Sequence, residues 1–255
     1  MKILLENIGI IPMSGEKAYY IEKGYLIIEG QFIQAVGEGS APAGEYDQVI
    51  DGYERVVLPG FINSHTHAAM TLLRGYADDL PLMDWLEKKI WPLEAKLTAD
   101  DIYWGTMLAI SEMIRTGTVC FADMYFFMDA VAQAVEKSGI RAVLARGMVG
   151  VGPEHEQAFS ESREMIEKWH GACNNRITCK LGPHAPYTCP PDYLERVMNL
   201  SDELEVGLHI HIAETRSEFE DIKRIYGYTP VTHLDKLGRF ERPVVAAHYF
   251  HLTRE

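Results

Sequence analysis

The chain predicts an α/β fold: a TIM-type (β/α)8 barrel with about six of its eight βα units present, preceded by a small N-terminal β domain. Three observations carry this. Apolar runs alternate with stretches of 3.6-residue periodicity, the pattern of repeated βα units around a parallel sheet. Residues able to do chemistry recur at the C-terminal ends of those runs, where such a barrel places its active site. A doubly wound open sheet is the other option. It would more often show a Gly-rich phosphate loop after its first strand, and GxGxxG is absent.

Residues 1–58 read as a separate β domain, with 59–255 as the barrel. KILLENIGIIP, KGYLIIEGQFIQAVG and EYDQVIDGYERVVLP are β-branched runs separated by Gly, Asn, Ser and Pro clusters. Gly30, directly after Glu29, predicts a hairpin turn. No catalytic cluster lies in this part, so its role is structural. From residue 55 onward the predicted strands are VVLPGFINSHTH, TVCFADM, IRAVLARGMV, RITCKLGPH, EVGLHIHIAE and RPVVAAHYF. Helices are predicted at ADDIYWGTMLAISEMIRTG, DAVAQAVEKSG, SESREMIEKWHGA, PPDYLERVMNLSDEL and TPVTHLDKLG. Thr98 is an N-cap signal for the first of these, and Gly117 and Gly139 are C-terminal signals. The chain stops just after the sixth strand, so it reads as about two thirds of a longer protein.

The bulk properties narrow the function. The 255 residues are 47% hydrophobic with a net charge of −13, and the isoelectric point is near 5.2. That argues against nucleic acid or an anionic membrane surface as partner, and suits a small-molecule substrate. The four cysteines, Cys120, Cys173, Cys179 and Cys189, form no CxxC pair and read as reduced thiols. The N-terminus lacks a signal-peptide apolar core and no run is long enough for a membrane span, so a cytoplasmic location is expected. Homo-oligomerisation is left open.

The chemistry concentrates in a few segments. In PGFINSHTHAAM, His65 and His67 are two apart. Residues i and i+2 of a strand face the same side, roughly 6.6 Å apart along it, so both imidazoles can converge on one metal. In EVGLHIHIAE, His211 lies nearest the strand end and supplies a third imidazole, while His209 reads as a packed residue one layer deeper. Glu214, three residues after His211, is placed as proton donor and acceptor beside a metal site. Its bland alternative is an acid at a helix N-terminus. His248 ends the sixth strand, where a neutral imidazole can orient a water. His184, between Pro183 and Pro186, sits on a rigid loop suited to substrate contact. Lys180 is too deep, or faces outward, for a bridging role. His155-Glu156 fails the HExxH pattern, and the HxE…PCxxC signature of cytidine deaminases is absent.

PGFINSHTHAAMTLLRGYADDLPLMDWLEKKIWPLEAKLTADD, with GPHAPYTCPP, HIHIAET and VVAAHYFHL, resembles the amidohydrolase superfamily, in particular the 5′-methylthioadenosine/S-adenosylhomocysteine deaminases. The resemblance covers essentially the whole chain. It implies a barrel of the metal-dependent hydrolase kind, flanked by a β-sandwich of which residues 1–58 are a part. It implies one Zn2+, with iron or manganese as alternatives, held by His65, His67 and His211. Glu214 and His248 are then catalytic, and Glu94, Arg146 and His184 bind an adenosine-type nucleoside, Glu94 through the ribose hydroxyls. Without the resemblance, Glu94 would read as a solvated helix acid. The sequence departs from the family in two places. The family's fourth ligand, an aspartate after the eighth strand, has no counterpart, and Asp123 does not match its motif. No second basic residue can be assigned in the loop after Arg146. Sister enzymes, guanine-type or oxidised-purine deaminases or triazine chlorohydrolases, share the HxH and HxxE elements and stand as alternatives, as does a catalytically silent chain.

Overall fold

The computed structural model describes residues 1–14, 19–151 and 155–254. They form two compact units, Met1–Gly60 and Phe61–Glu255. In the first, β1 (Lys2–Ile10) pairs antiparallel with β2 (Ile21–Glu29), which pairs antiparallel with β3 (Phe32–Glu38). The turn between β2 and β3 carries Gly30 at φ +61, the left-handed conformation that glycine adopts without steric cost. β4 (Gln48–Asp51) and β5 (Val56–Val57) both run parallel to β1. The result is a single mixed sheet.

One sequence expectation changes here. The run 56–67 is not one strand. Val56 and Val57 belong to the first sheet, and a new strand begins at Phe61 in the second unit. Pro59 has no N–H to give to a ladder, and with Gly60 it forms the break between the two.

The second unit holds β6 (Phe61–Thr66), β7 (Thr118–Tyr125), β8 (Arg141–Met148), β9 (Ile177–Pro183), β10 (Leu208–Ile212) and β11 (Val244–His248). They pair in sequence order, every pair parallel. The order never reverses, as it must in a doubly wound sheet, so the barrel arrangement holds. Between β6 and β7 the chain makes α1 (Leu82–Trp85), a π-helical turn (Leu86–Ile90), α2 (Trp91–Glu94) and α3 (Ala99–Arg115). α4 (Met128–Ser138) follows β7. α5 (His155–Trp169) and the short α6 (Ala172–Asn175) follow β8, and α7 (Pro191–Glu203) follows β9. α8 (Arg216–Tyr226) and α9 (Pro230–Lys236) lie between β10 and β11. Thr98 and Asp101 form a reciprocal capping box on α3, and Gly139 closes α4 at φ +83.

α8 was not legible in the pattern, because Glu218, Glu220, Asp221, Lys223 and Arg224 leave few apolar positions on it; Ile222 is its buried apolar anchor. α5 begins at His155, five residues before the expected SESREMIEKWHGA. Phe121, Leu144, Ile177, Leu181, Leu208 and Ile212 are fully buried from the strands, and Val131, Val135, Leu194 and Val197 meet them from the helices. Both faces of the central strands are covered, which is why they read as near-continuous apolar runs. All four cysteines are free. No helix among the described residues is long and apolar enough to cross a membrane.

Gly182 on β9 lies opposite Gly147 of β8. A Cβ at Gly182 would land on the carbonyl oxygen of Arg146. Gly182→Ala should therefore destabilise the protein by about 1–3 kcal/mol, read from the urea midpoint. An unchanged midpoint would contradict this packing.

Candidate metal centre

The strand ends deliver their histidines as the two-residue period demands. His65 is on β6, His67 is the first residue past it, and His211 is on β10. Their candidate ligand nitrogens all lie within 4.8 Å of one another. It is the one group of three His, Cys, Asp or Glu residues among the described residues that could hold a metal ion. The corner carrying His67 is pinned by Asp123, whose Oδ1 accepts from Thr66 Oγ1 and from the Ala68 amide, both at 2.7 Å. Asp123 lies within β7 and serves this corner; it is not in the ligand group.

The protons decide whether the group fits a cation. His67 Nδ1 lies 2.6 Å from the Met124 carbonyl oxygen, and His211 Nδ1 lies 2.7 Å from that of His184. A carbonyl only accepts, so both Nδ1 atoms carry the proton and both Nε2 atoms are bare lone pairs. The Nε2 atoms of His211 and His65 are 3.2 Å apart. A bare lone pair that close to a second nitrogen needs positive charge between them, either a proton or a metal ion. Neutral imidazoles meeting at one point, each steadied through its far nitrogen, are the donor set a divalent transition metal takes.

Two further groups flank the histidines. Glu214 Oε1 is 3.6 Å from His248 Nε2. The His248 ring stacks on that of His211, with centroids 5.2 Å apart and planes 18° from parallel. Glu214 is not a helix residue; it sits in the turn between β10 and α8. Buried Glu218 holds that turn by accepting the Ala213 and Glu214 amides at 3.0 and 2.8 Å. Burial raises the pKa of the Glu214 carboxyl and lowers that of His248. His248 has φ +80, a left-handed conformation unusual for a side-chain-bearing residue and typical of strained functional positions.

A cleft of about 490 Å³ opens beside the histidines. His67, His184, Glu94 and Arg146 contribute polar groups to it, and Trp85 and Trp91 belong to its apolar wall. Glu94 is not a solvated acid: Tyr125 donates to its Oε1 at 2.6 Å, and burial raises its pKa. Arg146 donates to Glu161 at 2.7 Å. His184 Nδ1 meets Thr188 Oγ1 at 2.9 Å. The eight residues singled out in the sequence therefore gather around one cleft and its histidine cluster. Part of the loop after Arg146, residues 152–154, lies outside the described residues.

Three partners escaped the sequence reading. His209 is not merely packed: its Nε2 lies 2.8 Å from His65 Nδ1. Tyr125 and Glu218 hold Glu94 and the Glu214 turn. A signal existed for Glu218, since Thr215 and Glu218 have capping-box spacing. None existed for Tyr125, whose contact spans 31 residues. Lys180 stays outside the ligand group.

Comparison with known proteins places these features in context. The model of the amidohydrolase family matches residues 56–255. Proteins named 5-methylthioadenosine/S-adenosylhomocysteine deaminase are similar to the chain: 69% identical in Syntrophomonas wolfei and 55% in Desulforamulus reducens. Both alignments cover 100% of this chain but 59% of the relative, so the chain spans under two thirds of their length. An adenosine deaminase from Xanthomonas campestris, solved with bound zinc, superposes with a TM-score of 0.89 at 34% identity, over 98% of this chain and 58% of that one. A guanine deaminase from C. acetobutylicum superposes with a TM-score of 0.89 at 21% identity, over 100% of this chain and 64% of that one. At that identity the likeness is one of fold alone.

The buried imidazoles also set a pH dependence. Burial first, and neighbouring charge second, pulls His65 from the ordinary 6.5 to about 3, and His184 and His209 to about 4. Below pH 6.5 the unfolded chain takes up protons that the folded chain refuses, so stability falls as pH falls. The metal-free protein should keep its melting temperature above about pH 6.5 and lose it steadily towards pH 4. Calorimetry showing no change across that window would contradict the neutral cluster.

Proposed function

The chain belongs to the amidohydrolase family, and from that premise we propose that the protein carrying it is a zinc-dependent hydrolytic deaminase of adenosine-type nucleosides. The substrate class is 5′-methylthioadenosine, S-adenosylhomocysteine or adenosine, converted to the inosyl product and ammonia. One observation carries the reading: three imidazoles converge beside the cleft, His67 and His211 with bare Nε2 atoms, and a half-buried carboxyl, Glu214, lies next to them. The names of the similar proteins support the substrate class, and the zinc-bound relative supports zinc.

His65, His67 and His211 would hold the ion. A divalent ion there supplies Lewis acidity that makes hydroxide available near neutral pH. The remaining work falls to the chain's own groups. Glu214, whose pKa burial raises, is placed to put a proton on a ring nitrogen of adenine, which makes C6 electrophilic. At C6 a C–O bond forms and the C–N bond to the amino group breaks, and the leaving nitrogen departs as ammonia after taking up a proton. His248, near Glu214 and kept neutral by burial, is able to accept a proton and orient the water.

The cleft explains recognition. Tyr125 occupies Glu94 Oε1 and leaves Oε2 for the ribose hydroxyls. His184 and Arg146 line the same cleft, and the wall of Trp85, Leu86, Ile90, Trp91 and Val149 suits an apolar group such as a 5′-thioether.

Two variants of the intact gene product test this by loss of adenine absorbance. Glu214→Gln should lower turnover by at least about 10²-fold with metal content unchanged; loss of the metal would contradict its place outside the ligand set. Glu94→Ala should raise KM for nucleosides while sparing free adenine. An equal loss on both would remove Glu94 from ribose binding.

A further inference from the structure

We infer that His209 is a positioning residue for the metal centre: it accepts the Nδ1 proton of His65 and so fixes His65 in the tautomer whose Nε2 is free to bind a metal. The inference rests on the reading that His65, His67 and His211 hold the ion.

The three candidate ligands are not fixed alike. Main-chain carbonyls decide the tautomers of His67 and His211. At His65 Nδ1 the partner is His209 Nε2, at 2.8 Å, and an imidazole nitrogen can either give or take a proton. His65 needs Nδ1–H if its Nε2 is to be a ligand. Nε2 of His209 must then be bare, and the His209 proton must sit on Nδ1.

That requirement meets an orphan. His209 is fully buried, and its Nδ1 has no hydrogen-bond partner among the described residues. The Lys180 ammonium, whose charge acts on His209, has no lone pair to offer. The pair therefore has two proton arrangements. Without a metal, His209 Nε2–H donates to His65 Nδ1, and His65 Nε2–H donates across 3.2 Å to the bare His211 Nε2. With a metal, both protons reside on the Nδ1 atoms. Each ring keeps one proton, so the exchange releases none from this pair. His209 thus lets His65 satisfy its neighbours in both states.

The test uses the intact gene product and zinc. Zinc affinity is measured by competition with a fluorescent chelator for the parent, His209→Gln and His209→Leu. The Gln side chain offers an acceptor oxygen near the Nε2 position, and Leu offers none. His209→Leu should bind zinc about 10–100-fold more weakly, and His209→Gln should recover most of the loss. Long-range ¹⁵N–¹H NMR of the zinc-loaded parent should place the His65 proton on Nδ1, a readout that stands even if His209→Leu fails to fold. Parent-like affinity in His209→Leu, equal losses in both variants, or a proton on His65 Nε2 in the zinc-loaded parent would overturn the inference alone. A parent that binds no zinc would overturn the metal reading and this inference with it.

Discussion

The centre depends on the hydrogen bonds that occupy the far nitrogen of each histidine. For His67 and His211 the acceptors are main-chain carbonyls of the neighbouring chain segments. Met124 O of β7 holds His67 beyond β6, and the carbonyl of His184, just past β9, accepts from both the amide of His211 at 2.9 Å and its Nδ1 at 2.7 Å. Strand register thus becomes proton placement: a shift by one residue between β9 and β10 would remove the carbonyl that leaves His211 Nε2 bare. This is why a chemical site can rest on a sheet whose core is Leu, Ile and Val; Gly182 of β9 has no room for a side chain because the Arg146 carbonyl of β8 stands against it.

Burial does the second part of the work. Removed from water, the imidazoles resist protonation and stay in the ligand form, while the carboxyls of Glu214 and Glu94 are pushed towards theirs. The same loss of solvent therefore favours the lone-pair form of the imidazoles and raises the pKa of the carboxyls. The backbone meets this arrangement with strain at His248 and with a dedicated carboxylate, Glu218, whose whole acceptor capacity faces the turn that presents Glu214.

Much of this was legible in the sequence, because strands and helices declare themselves by period. The HTH and HIHIAE segments put His65, His67 and His211 on strand ends, and the structure brings their nitrogens together. What the sequence hid were contacts between distant segments and elements with weak patterns. His209 looked like core because its role depends on a ring 144 residues away. Tyr125 carried no sign of its contact, because the Glu94 carboxyl that accepts from its hydroxyl is 31 residues away. α8 was hidden by its charges, and the strand start at Phe61 by the apolar Val-Val-Leu that precedes Pro59. Periodicity records which face a residue shares; it carries no record of what meets that face.

X-ray absorption at the zinc edge of the loaded protein tests the central claim most directly. Convergent Nε2 atoms predict a first shell containing three imidazole nitrogens at about 2.0–2.1 Å, with the outer-ring scattering of histidine. A shell dominated by sulfur at about 2.3 Å, or one with a single imidazole, would contradict the account.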